Sequence, residues 1–107
     1  MSEKQEPSVP QKKLADFAPK LAELTENVLF GDIWKREGLA PRDRSLITVA
    51  ALISGGNTEQ LSFHLHRAKD NGLSEAELIE VITHLAFYTG WPRSMSAIRV
   101  AREVFKR

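Results

Sequence analysis

A chain of 107 residues, 42% hydrophobic and 27% charged, has the length of one globular domain rather than two. Fifteen basic residues against fourteen acidic ones leave a net charge of +1, and aromatics make up only 7%. That balance lacks the basic footprint of a nucleic-acid binder and the aromatic platform that stacks bases. With no cysteine, disulfides, thiolate metal sites and cysteine nucleophiles are excluded, and the composition fits a cytoplasmic protein.

Residues 1–13 are polar, with Pro7 and Pro10. They lack the apolar centre of a signal peptide, and no apolar run in the chain is long enough to span a membrane. We read them as a disordered leader ahead of a single domain, residues 14–107. Leu14, Phe17, Leu21, Leu24 and Val28 then recur at spacings of three and four, a heptad-like seam. Pro19 sits near the start of this helix, where proline costs least. Such a seam suits the core or the helix of a partner subunit. On so small a domain we expect the first helix in an interface between copies. Phe30, Ile33 and Trp34 follow around Gly31, and Arg36-Glu37-Gly38 reads as a loop.

Pro41 opens the next helix at a favoured first position. Leu46, Ile47, Val49, Ala50, Ala51, Leu52 and Ile53 make it apolar nearly all round, the pattern of a buried helix, and Gly55-Gly56 ends it. Asn57 and Gln60 are spaced as a capping box for a helix that runs to about Asn71 and stops at Gly72. Ser74 and Glu77 form a stronger capping box, starting a helix through Tyr88 that Gly90 closes. Pro92 opens the last helix, with Ala97, Ile98, Ala101, Val104 and Phe105 as its apolar stripe. The expected fold is an all-α bundle of five helices, or six if the first breaks at Pro19 or Gly31. No segment alternates with period two, so no sheet is expected.

The candidate chemistry begins with the histidines. At 3.6 residues per turn, His64 projects into the same arc as Leu61, Leu65 and Ala68, with Asn57 in that arc and Gln60 at its edge. His66 points the other way. Gln60 can touch His64, and Asn57 lies at the helix N-terminus, an end that attracts anions such as carboxylates. An imidazole beneath it can serve as acid or base, although a histidine on an apolar face is more often a packing residue. His84, one turn before Tyr88 at the edge of its helix, is a second acid–base candidate or a half-exposed packing residue. Arg42 and Arg44 stand in the first turn of a helix, where cations are disfavoured. They form either surface ion pairs or a guanidinium clamp for a substrate carboxylate. No metal site is expected, because His64 and His66 diverge and no ligand cluster has metal spacing. No glycine-rich phosphate loop follows a strand, so no nucleotide cofactor is expected either.

The run PRDRSLITVAALISGGNTEQLSFHLHRAKDNGLSEAELIEVITHLAFYTGWPRSMSAIRVAREVF, Pro41 to Phe105, resembles the carboxymuconolactone decarboxylase family. The upstream FAPKLAELTENVLFGDIW is similar to that family's first helices. The resemblance implies the all-helical fold of alkylhydroperoxidase D and rings of identical subunits, often hexamers built as trimers of dimers. The name-giving members decarboxylate 4-carboxymuconolactone to an enol-lactone, without a cofactor, in protocatechuate breakdown. A peroxidase branch carries Cys-x-x-Cys with a histidine four residues on and a glutamate twelve residues before the first cysteine. Here those positions hold Asn57, Gln60, His64 and Ser45, so thiol-based peroxide reduction is excluded and the decarboxylase branch fits better.

Two functions follow as expectations. In the first, the chain is a cofactor-independent decarboxylase of a small carboxylated lactone. Arg42 or Arg44 would anchor the acid, His64 would donate the proton with Gln60 and Asn57 orienting, and His84 would be the second acid–base group. In the second, the chain is a non-catalytic oligomeric binder of small molecules that keeps the fold alone.

Overall fold

The computed structural model describes residues 11–106. They fall into two units, one through Pro41 and one from Arg42 onward. The described residues contain six α-helices: α1 (Gln11–Phe17), α2 (Pro19–Leu24), α3 (Pro41–Gly55), α4 (Thr58–Asp70), α5 (Glu75–Thr89) and α6 (Trp91–Phe105). No strand occurs among them, so the chain is all-α as expected. Residues 1–10 of the expected leader lie outside the described residues, and Gln11 already belongs to α1.

In the first unit the continuous seam helix is not formed. A residue ahead of proline is pushed out of the α region, and Ala18 takes φ −135° and ψ 75°. Pro19 restarts the helix at its first position. The Thr25 hydroxyl then donates to the Leu21 carbonyl at 2.8 Å. A bond of this type competes with the helical ladder, and a π turn (Thr25–Phe30) follows. Gly31 closes that turn because a Cβ there would stand 2.7 Å from the Glu26 carbonyl oxygen. A short 3₁₀ turn (Ile33–Lys35) comes next, with Trp34 ring-stacked on Phe30 at 6.1 Å. Ala22 and Trp34 are buried, whereas Phe17 is 92% exposed and Leu21, Leu24 and Val28 are exposed as well. Within this unit the seam is therefore left largely uncovered.

The second unit holds the core. Val49 and Ile53 of α3 meet Leu61, Leu65 and Ala68 of α4, Leu78 and Ile82 of α5, and Ala97, Ala101, Val104 and Phe105 of α6. α6 packs along both α4 and α5, and Ala97 and Ala101, one turn apart, let the backbones approach. The expectation that α3 is buried on all sides is corrected. Only the stripe Ser45, Val49 and Ile53 is fully covered, with Leu46 and Leu52 half-buried against the core, while Ile47 is 56% exposed and Ala51 is exposed too. Composition reported that α3 is apolar, but the three helices beside it cover one face.

Local signals set the helix ends. α3 closes with the Asn57 N–H donating to the Leu52 carbonyl at 2.9 Å and the Gly56 N–H to the Ile53 carbonyl at 3.1 Å. This is the paired pattern in which a glycine takes positive φ, and Gly56 has φ +71°. α4 ends the same way around Gly72. The capping box of α5 is complete. The Glu77 N–H donates to the Ser74 hydroxyl at 3.0 Å, and the Ser74 N–H donates to the Glu77 carboxylate at 2.9 Å. Such a cap contributes about 1 kcal/mol.

Candidate active site

The structure bears out the α4 projection for the apolar residues and places His64 beside them. Leu61, Leu65 and Ala68 are fully buried, His64 and Gln60 are half-buried, and Asn57 and His66 are exposed. The His64 ring stands edge-on to Phe63, with centroids 4.9 Å apart at 83°. Burial, and then the positive charge of Arg67, push its pKa down to about 4. The imidazole is therefore neutral at pH 7, because in a low-dielectric site beside a cation the charged form is the costly one.

Arg67 escaped the sequence reading. It is buried at 8% exposure, and burial lowers its pKa while Asp70 opposes that shift. A signal was present: on α4 it projects about 20° from Gln60, seven residues earlier. Charge made it look like a solvated residue, whereas its long stem follows the buried face.

The expected capping box at Asn57 does not form. Asn57 occupies the N-cap position of α4, but its side chain makes no cap bond. Its amide is folded back, so that a Cβ on Gly55 would stand 2.4 Å from its Oδ1. The first N–H groups of α4 are left without that side chain. A second polar group reaches the same turn from α6. A Cβ on Gly56 would stand 2.3 Å from Arg93 Nη1, so this guanidinium lies within roughly 4 Å of the glycine Cα, that distance plus one C–C bond. Arg93 is another residue the sequence reading missed, since nothing local links position 93 to position 56.

The remaining candidates are placed apart by their partners. Arg42 forms an exposed ion pair with Glu77 of α5. The Glu77 carboxyl is held below the usual carboxylate range, first by the Ser74 backbone N–H and, more weakly, by Arg42. Arg44 is half-buried and has partners of its own. Ser45, at the position of the peroxidase glutamate, is fully buried and accepts a 2.9 Å hydrogen bond from the Asn71 amide. That bond ties α3 to the end of α4. His84 is exposed and stacks on Tyr88 at 4.8 Å and 25°. An apolar groove of about 160 Å³ runs between α5 and α6, walled by Ile82, Ala86, Phe87, Trp91, Met95 and Ile98. None of the six candidate residues lines it. No three potential metal ligands cluster among the described residues, and no helix there is long and apolar enough to cross a membrane.

Residues 19–103 match the carboxymuconolactone decarboxylase family. The chain belongs to that family. It is 38% identical over 93 residues to the 4-carboxymuconolactone decarboxylase of Acinetobacter baylyi, which covers 87% of this chain and 69% of that protein. It is 33% identical over 81 residues to the nitrosuccinic acid decarboxylase of Metarhizium robertsii, covering 76% of this chain and 57% of that protein. A carboxymuconolactone decarboxylase family chain without cysteine cannot run the thiol chemistry of a peroxidase.

Proposed function

We propose that the chain is a cofactor-independent decarboxylase of a small carboxylated lactone, of the 4-carboxymuconolactone kind, in the breakdown of aromatic compounds. The observation that carries this reading is the α4 face. There a half-buried His64, kept neutral by burial and by Arg67, lies one turn from Gln60 and two from Asn57. The relatives' names describe related chemistry. One substrate is a lactone bearing an added carboxyl group, and the other is a nitro-substituted four-carbon diacid. Each is a diacid that also carries an electron-accepting function, so one carboxylate leaves and one stays.

In such a reaction the bond to the departing carboxyl breaks and carbon dioxide leaves. The electron pair passes into the conjugated lactone as an enolate, and a proton added to carbon completes the enol-lactone. A neutral imidazole suits the first half as a hydrogen-bond donor to the enolate oxygen. Negative charge gathering beside it raises its proton affinity, so it takes a proton from water and passes it to carbon. Arg44, Gln60 and Asn57 orient the acid in this scheme. Arg42 joins them only by leaving Glu77, and His84, stacked on Tyr88, is the alternative acid–base group.

The test is carbon dioxide release from 4-carboxymuconolactone, with nitrosuccinic acid in parallel, by protein treated with a chelator and given no cofactor. We expect release from the lactone. Folded protein that releases none from either acid removes the decarboxylase reading and leaves the binding-protein alternative.

The same proposal includes a homo-oligomer, in the family's pattern a hexamer. Its support is the exposed seam, above all Phe17 at 92% exposure, on a 12.0 kDa chain. Light scattering at micromolar concentration should give a mass several times that of the chain, and a monomer would refute it.

A further inference from the structure

The α3–α4 turn is built to hold two polar side chains against its backbone. Gly55 leaves the space that Asn57 Oδ1 fills, and Gly56 leaves the space that Arg93 Nη1 fills. Gly56 is doubly constrained, since its φ of +71° already disfavours a side chain. Arg93 stands in the first turn of α6, where a cation opposes the helix dipole. Arg42 occupies the same kind of position and is answered by Glu77. Arg93 forms no ion pair with a carboxylate among the described residues, and its exposed side chain carries Nη1 close to the Gly56 backbone. A guanidinium is thus placed at a helix end that repels it, with Nη1 beside the Gly56 turn and no carboxylate partner among the described residues.

We propose that Arg93 binds the carboxylate that the substrate keeps. The proposal rests on the decarboxylase reading above and names a different anchor from Arg42 and Arg44. A guanidinium grips a carboxylate with two parallel hydrogen bonds, and the first-turn N–H groups of α4 that the Asn57 side chain does not cap are further donors for an anion near that end. The division of labour follows from the chemistry. The retained carboxylate is charged throughout, so it gains from an exposed cationic turn. The departing carboxylate becomes neutral carbon dioxide, so it gains from the half-buried stretch near His64 and Phe63. About 10 Å of helix separates Asn57 from His64, a gap that one small diacid bridges when a side chain reaches in from each end.

The experiment compares wild type, Arg93→Met, Arg93→Lys and, as a control on the same helix, Arg99→Met. Binding of succinate, an unreactive diacid, is followed by calorimetry at low salt, and KM and kcat are measured on the lactone. Arg93→Met should weaken succinate binding tenfold or more and raise KM by a similar factor, with kcat within about threefold. Arg93→Lys should recover part of the loss, since a point charge replaces a fork, and Arg99→Met should match wild type. Wild-type affinity in Arg93→Met, an equal loss in Arg99→Met, or no succinate binding by wild type would each overturn the anchor. If wild type binds succinate but releases no carbon dioxide from either acid, the decarboxylase reading fails, and the succinate measurements alone decide Arg93.

Discussion

Truncating Leu65 to alanine should lower the unfolding free energy by roughly 2–5 kcal/mol, the range for a leucine removed from a packed core. Leu65 has no exposed surface and sits in the cluster where α4 meets α6. The loss combines the transfer free energy of the deleted atoms with the cavity left behind. For a domain of this size each kcal/mol moves Tm by roughly 4–8 °C, so a fall of about 8 °C or more is expected. Leu65 also follows His64 directly, and its packing fixes the rotation of α4. A variant that collapses into the cavity would turn that helix and carry the imidazole with it. The measurement is a denaturant melt of both proteins at one concentration. A loss below about 1 kcal/mol would show that Leu65 does not pack as the structure has it.

What the sequence made legible was local. The Ser74–Glu77 box, Gly72, Gly90 and the prolines at 41 and 92 each act within one turn of themselves, and each marks a helix end in the structure. The arc of Leu61, Leu65 and Ala68 was legible because helical period alone sets it. What failed depended on competition or on distant partners. Pro19 was one of two possible breaks. The π turn depends on how the Thr25 hydroxyl shares the Leu21 carbonyl, which no periodicity reports. Asn57 had the residue type of a cap, but a glycine two positions earlier offered its amide another resting place.

The candidate site divides along the same line. Asn57, Gln60 and His64 lie on one helix, so one projection gathers them. Arg42 looked equally suited to a clamp or an ion pair, and the choice was made by Glu77, 35 residues away. Arg93 lies 37 positions after Gly56 in the sequence, and only the packing of α6 on α4 brings them together. The charge state of His64 was beyond reach for the same reason, because burial and Arg67 set it.

That charge state gives His64→Gln two signatures. The variant should keep the fold, since glutamine has similar bulk and hydrogen-bonds, and kcat should fall about 10²–10⁴-fold, the usual worth of a positioned acid or base. The second signature is in stability. The His64 pKa is about 4 in the folded protein, below its ordinary 6.5. Between those values the unfolded chain binds the proton more readily, so wild type loses stability as pH falls through the window and loses nothing on this account above it. The loss is on the order of 1–2 kcal/mol, less than the full linkage value because the ring keeps part of its solvent. Carboxylates contribute to acid sensitivity in both proteins, so the informative quantity is the difference between them. Melts at pH 7 and pH 5 should show wild type losing more stability than His64→Gln, and kcat on the same preparations should show the variant nearly inactive. A variant that is destabilised at pH 7 yet turns over the lactone at the wild-type rate per folded molecule would make His64 a packing residue and move the acid–base role to His84.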